Sequence, residues 1–327
     1  MKYRKLDAKD YARANLRGIW AAALTPFGPD LALDEEGFRR NLRHWYRELG
    51  IAGIFVAGKQ GEFFSMSVAE RKRTFDLAAE EAASAGAGTI MSCSDQNLDT
   101  VLELARHAQA IGADYVVVHS PLLHFGRDVE ATVYEYYRHI AQQLDIGIAL
   151  WSHPDAGYLM SPELCARLAE LPNIVAIKYS VPRDMYARLT RMAGDKLIVS
   201  TASEEEWFDN IVELGWQVYL CSTPPYLMQT RHDRRIHEYT ELALRGEIER
   251  ARAVRDSLEP VRQALKRTRP EGTPQAHQKY WQALLGQAGG RVRRPLLELA
   301  DEEKAATRAA FEGCGLKLDT AARKAAA

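Results

Sequence analysis

Along the chain, short runs of consecutive apolar residues recur, and stretches in which apolar positions return every three or four residues separate many of them. The runs are Gly18–Leu24, Gly53–Ala57, Thr89–Ser92, Tyr115–His119, Gly147–Trp151, Ile174–Lys178, Leu197–Ser200 and Gln217–Cys221. A strand that is apolar on successive residues is buried on both faces, as in a parallel sheet covered by helices. Glu35–Leu49, Val68–Ala83, Leu98–Ile111 and Val129–Leu144, between the runs, carry the helical period. Strands alternating with helices predict βαβ units, and eight of them in roughly 200 residues predict a (β/α)8 TIM barrel, class α/β. A doubly wound open sheet is the other arrangement this pattern permits, but no Gly-x-Gly-x-x-Gly follows the first strand.

Ser67 followed by Glu70 predicts a capping box, and Pro162 after Ser161 predicts a helix first turn. Past Pro225 the strand pattern stops. Tyr226–Arg267 reads as one long helix, Arg269–Pro274 as a loop, and Gln275–Leu285 and Asp301–Phe311 as further helices. The organisation expected is an N-terminal extension over 1–17, a catalytic barrel over 18–225 and a C-terminal helical region over 226–327, ending in a frayed AARKAAA tail.

With 327 residues and 46% hydrophobic content the chain can bury a large core. Lys plus Arg, 43, nearly balance Asp plus Glu, 44, leaving a formal charge of −1. No global field therefore recruits nucleic acid or an anionic membrane, and any anionic ligand must be held by local groups. The charged amino terminus is unlike a signal peptide, and no apolar run approaches the roughly 18 residues a membrane span needs, so a cytoplasmic protein is expected. Cys93, Cys165, Cys221 and Cys314 lie far apart, with no spacing suited to zinc, and read as ordinary thiols.

In a barrel of this class the chemistry sits at the carboxyl ends of the strands. That rule selects Thr25, Gly58–Glu62, Ser94, Asp95, His119, Trp151–His153, Lys178 and Ser200. Lys178 is the lysine that ends a strand. In an apolar bore an ammonium loses hydration, its pKa falls, and a neutral amine able to attack a carbonyl is populated. This is the setting of Schiff-base catalysis. A lysine snorkelling to the rim or paired with a carboxylate is the plain alternative.

The segments LTPF (Leu24–Phe27), GKQGEFFSMSVAER (Gly58–Arg71), GADYVVVHSP (Gly112–Pro121), NIVAIKYS (Asn173–Ser180) and TPQAHQKYWQALL (Thr273–Leu285) occur in family order. Together they resemble the dihydrodipicolinate synthase and N-acetylneuraminate lyase family of class I aldolases, over roughly Gly18 to Leu316. The resemblance implies a TIM barrel with a C-terminal helical annex, a homo-oligomer (dimer or tetramer), and no metal or organic cofactor. It implies that Lys178 forms an imine with a 2-keto acid, typically pyruvate. A protonated imine is an electron sink, so a bond to the adjacent carbon can be made or broken through an enamine.

The keto acid's carboxylate falls to the loop after the second strand. Where the family has two hydroxyl residues, this chain has Lys59 and Gln60; backbone N–H groups of Gln60 and Gly61, with Lys59 as a charge, would orient the anion. Glu62 would brace the loop. Trp151 stands where the family carries a relay tyrosine, and Leu122 and Leu123 stand where a second is expected. An indole N–H only donates, so the usual relay is missing. His153, two residues beyond Trp151 on the same side, is the expected replacement acid/base, with His124 a second candidate. Ser203 and Glu204 occupy the place where sugar-acid lyases hold hydroxyls, or simply cap a helix.

Ala156 stands near the place of the synthases' substrate-binding arginine, which argues against the lysine-pathway synthase reaction. HPDAGY is closer to the segment of hydratase-aldolases acting on aromatic ylidenepyruvates. Trp151, Leu122, Leu123, Phe125 and Tyr158 would then line an apolar pocket. The expectation is a lyase using a Lys178 Schiff base on a 2-keto acid with an apolar or aromatic part. A sugar-acid dehydratase, and a barrel that only binds a ligand, are the rivals.

Overall fold

A computed structural model describes residues 1–122, 127–221, 225–270 and 274–318. In chain order the elements are α1 (Ala8–Asn15), β1 (Gly18–Ala22), α2 (Glu35–Glu48), β2 (Gly53–Val56), α3 (Val68–Ala85), β3 (Gly88–Ser92), α4 (Leu98–Ala110), β4 (Tyr115–His119), α5 (Val129–Gln143), β5 (Gly147–Ser152), α6 (Pro162–Leu168), β6 (Ile174–Tyr179), α7 (Arg183–Ala193), β7 (Ile198–Ser200), α8 (Glu204–Leu214) and β8 (Val218–Leu220). Then come α9 (Arg235–Leu244), α10 (Ile248–Asp256), α11 (Glu259–Arg267), α12 (Pro274–Leu284) and α13 (Asp301–Gly313). The strands join in the order β7-β6-β5-β4-β3-β2-β1-β8. This is the (β/α)8 TIM-barrel class with C-terminal helices, as the apolar runs predict. The chain divides into two compact units, Met1–Trp20 with Gly88–Cys221, and Ala21–Ala87 with the chain from residue 222 on.

In the first unit, β3 to β7 form a parallel ladder whose side chains are almost all buried. The register slips once, between Ile148 opposite Ile174 and Ala149 opposite Ala176. One extra residue in β6 therefore sets Trp151 beside Lys178. A slip of one residue exchanges the faces of a strand, so this irregularity decides which side chain of β6 faces the Trp151 level. Among the described residues, β7 and β8 stand at the two ends of the strand order with no ladder joining them. There the Ser200 hydroxyl spans the gap, accepting from Leu220 N at 2.9 Å and donating to Val218 O at 3.0 Å.

The N-terminal extension is ordered and largely helical. Lys5 Nζ donates to Ala141 O at 2.5 Å, Lys9 Nζ to Ala169 O, and Arg13 Nη2 to Gly194 O at 3.3 Å. These carbonyls lie at the carboxyl ends of α5, α6 and α7, where orphan acceptors and the negative end of the helix dipole favour cations. A spacing of four residues along the chain thus serves three successive helix ends.

In the second unit α2 packs on α3, with Arg39 and Arg43 converging on the Glu81 carboxylate at 2.9 and 2.7 Å. The Tyr226 hydroxyl accepts from Leu24 N at 2.9 Å and donates to Ala22 O at 2.8 Å, and its ring stacks on Trp45 at 3.8 Å. The Ser67–Glu70 capping box opens α3, and in the first unit Ser161 caps α6. The long helix expected over Tyr226–Arg267 is instead three helices. Thr230 and Asp233 pair across a tight turn before α9, Gly246 adopts a positive φ of 82° after it, and Pro260 sits in the first turn of α11. Each feature ends or restarts a helix, and the helical period alone does not reveal it.

Candidate active site

Lys178 is the penultimate residue of β6 and is 3% exposed. In register it lies between Trp151 of β5 and Ser200 of β7, and Trp151 in turn faces His119 of β4. Residues aligned across a parallel ladder leave the sheet on one face, so these four side chains form a row at one level. Lys178 Nζ donates to the Cys221 backbone oxygen at 2.8 Å and lies 5.3 Å from the centroid of the Trp151 ring. The His119 ring packs on Trp151 at 4.8 Å, and its backbone N–H donates to Ser94 Oγ at 2.9 Å. His119 is on the strand-end roster, but its pairing with Trp151 follows from register and is invisible in one sequence.

His153 follows β5 and is brought to the same cluster, its ring 6.1 Å from that of Trp151. Its Nδ1 accepts the Asp155 backbone N–H at 3.1 Å and lies 3.3 Å from Asp155 Oδ1. The accepted hydrogen bond puts the proton of the neutral ring on Nε2. Protonation of Nδ1 would exchange that bond for an ion pair with the Asp155 carboxylate. Tyr158 is tied to α5, its hydroxyl 3.2 Å from Glu130 Oε1; burial, then Glu130, pushes its pKa up to about 12. Leu122 is exposed, with its N–H bonded to Gln96 Oε1 at 3.0 Å. Leu123, His124 and Phe125 lie outside the described residues. Ser203 is the residue before α8 and makes no side-chain capping bond to it.

The loop after β2 belongs to the second unit. It is bracketed by two non-glycine residues in the left-handed region, Ala57 at φ 49° and Glu62 at φ 61°. Such backbone is costly and is held only where its surroundings enforce it. Here the Glu62 carboxylate is the anchor. It is fully buried, pairs with Lys279 of α12, and accepts the Arg293 backbone N–H at 2.9 Å. Lys279 Nζ also donates to Arg291 O at 2.6 Å and lies 4.5 Å from the centroid of the Phe27 ring. Burial pushes Lys279 down and Glu62 partly offsets this, leaving its pKa lowered to about 8. The expected bracing role of Glu62 thus has a partner that sequence reasoning missed. Its signal was a lysine on a helix face shared with Gln275, Gln278 and Gln282, all buried.

Gln275 Nε2 donates to Lys59 O at 3.1 Å, holding the turn over Lys59 and Gln60. At Gly61 a Cβ would lie 3.1 Å from Ala23 O and 3.2 Å from Thr25 Oγ1, a tight approach that a side chain would crowd. The Thr25 hydroxyl is buried and has no hydrogen-bond partner among the described residues. Among the described residues no three His, Cys, Asp or Glu side chains gather in a way that could hold a metal ion. None of the described helices is long and apolar enough to cross a membrane.

Lys178 is thus buried one residue from the end of the sixth strand of an eight-stranded α/β barrel, with the Trp151 ring beside it, and the chain's relatives place it among the aldolase-type lyases. The chain belongs to the Dihydrodipicolinate synthetase family, whose sequence profile matches residues 15–313. It is similar to the 4-hydroxy-tetrahydrodipicolinate synthase of Methanothrix thermoacetophila, 29% identical over 295 residues, covering 89% of this chain and 95% of the relative. Its fold matches the N-acetylneuraminate lyase of Fusobacterium nucleatum with a TM-score of 0.80 at 22% identity, covering 92% of this chain and 99% of the other. The dihydrodipicolinate synthase of Acinetobacter baumannii, solved complexed with pyruvate, matches with the same TM-score of 0.80 at 22% identity over 92% and 99% of the two chains.

Proposed function

We propose that the protein makes or breaks a bond beside the carbonyl of a pyruvate-type 2-keto acid, with Lys178 as the Schiff-base nucleophile. The observation that carries this reading is the placement of Lys178: buried at the end of β6, its Nζ held at 2.8 Å by a backbone carbonyl. The carbonyl orients the nitrogen at the end of β6. The neutral amine attacks the ketone, water leaves, and the imine draws electrons from the adjacent bond.

His153 is the acid/base of this reading, with Nε2 carrying the mobile proton and Asp155 supporting the charged ring. Backbone N–H groups of Gln60 and Gly61, with Lys59, take the carboxylate; the strained turn and the tight approach at Gly61 support that role. Trp151 favours a substrate with an apolar or aromatic part, and assembly as a dimer or tetramer belongs to the same reading. Ser203, unengaged as a helix cap, is proposed to contact the far end of the substrate.

Incubation with pyruvate in deuterated buffer tests this. The wild-type protein is expected to exchange the pyruvate methyl protons through the enamine, and Lys178→Arg to abolish exchange. A panel of aryl and sugar-derived 2-keto acids then reads turnover. Exchange without turnover of any acid would identify a ligand-binding barrel, and undiminished exchange in Lys178→Arg would refute the nucleophile.

A further inference from the structure

We infer that the face of the Trp151 indole is the electrostatic partner of the protonated imine formed on Lys178, and so a catalytic residue in its own right. The inference rests on the reading of Lys178 given above. Nζ lies 5.3 Å from the ring centroid, inside the roughly 6 Å reach of a cation–π contact. Trp151 is 5% exposed, so the contact is largely out of water, where such attraction is strongest. The approach is built into the fold, because the β5–β6 register sets the two residues side by side. His119 at 4.8 Å and His153 at 6.1 Å hold the ring in position.

The chemistry gives the ring a task. An ammonium has three N–H donors, and one already reaches the Cys221 carbonyl. When Nζ attacks the ketone and water is lost, the resulting C=N–H⁺ keeps the charge but only one donor. The Cys221 carbonyl can take that hydrogen, and no further N–H remains for other acceptors. A π face stabilises charge without needing a hydrogen. The ring therefore matters more to the iminium than to the ammonium it replaces. Loss of a proton from the adjacent carbon sends the C–H electron pair into a new C=C bond and the C=N pair onto nitrogen, and the attraction ends with the charge.

Cyanoborohydride reduces the protonated imine and so reports its population. Its rate of trapping pyruvate on Lys178 is measured against pH in the wild type, Trp151→Phe, Trp151→Leu, and proteins carrying mono-, di- and trifluorinated tryptophan at 151 alone. Fluorine drains π density while nearly preserving shape. Trapping above neutral pH should fall stepwise with fluorination. In Trp151→Leu it should fall about three- to thirty-fold, with Phe between. The alkaline limb of the profile should move to lower pH, since the iminium loses its proton sooner.

Equal rates and an unmoved limb across the series would overturn the inference while leaving Lys178 as nucleophile. Absence of any wild-type adduct on Lys178 would remove both. Should Trp151→Leu fail to fold, the fluorinated series decides the matter alone.

Discussion

Lys279 reaches from α12 to the carboxylate of Glu62 in the loop after β2, and the two side chains are 1% and 0% exposed. A buried ion pair adds little net stability, yet removing one member strands the other charge. Lys279→Met should therefore lower unfolding free energy by about 3–5 kcal/mol in denaturant titration. Lys279→Met combined with Glu62→Gln should recover much of that loss. Equal stabilities of the single and double variants would mean that the pair is not coupled.

His277 of α12 should make the protein acid-sensitive. Burial, then Arg269, pushes its pKa from 6.5 down to about 4. The Thr268 hydroxyl, which donates to Ala264 O, meets Nε2 at 2.8 Å, while Nδ1 is buried without a partner among the described residues. Between pH 4 and 6.5 the unfolded chain binds a proton that the native chain does not. Its contribution is thus complete above pH 6.5 and is lost as pH falls toward 4, by about 3 kcal/mol at most. His277→Gln should flatten the stability profile in that window, and an unchanged slope would assign the acid sensitivity elsewhere.

Ser200 holds the gap between β7 and β8 with one hydroxyl. Ser200→Ala leaves Leu220 N and Val218 O without it in a dry interior, a loss of about 1–3 kcal/mol. Amide exchange should quicken first at Leu220 if the hydroxyl is the bridge.

His153→Ala should slow deuterium entry into pyruvate by roughly two to four orders of magnitude, the usual range for a general base, with adduct formation on Lys178 retained. His153→Ala exchange at the wild-type rate would acquit this residue and point to His119, which packs on Trp151 from the neighbouring strand.

The barrel was legible because its strands are buried on both faces: Tyr115–His119 in the sequence is Tyr115–His119 in the structure, and Ile174–Lys178 extends by one residue to Tyr179. What the pattern could not supply is register. The extra residue that brings Lys178 beside Trp151 lies in a uniformly apolar run, where Ile174, Val175, Ala176 and Ile177 carry no alternation to mark it. The Lys279–Glu62 pair was hidden for a related reason, since its members are 217 positions apart and nothing in the sequence marks Lys279 as the partner of the bracing Glu62. The anchoring roles of Lys5, Lys9 and Arg13 were not legible because their acceptors are backbone carbonyls, which no side-chain pattern reports.

The proposed chemistry requires that the nitrogen of Lys178 bond covalently to a keto acid. Reduction with borohydride in the presence of pyruvate, followed by peptide mass mapping, tests this directly. The expected result is a reduced pyruvyl adduct on the peptide carrying Lys178, absent from Lys178→Arg; an unmodified Lys178 peptide, or an adduct on Lys59 or Lys279 alone, would contradict it.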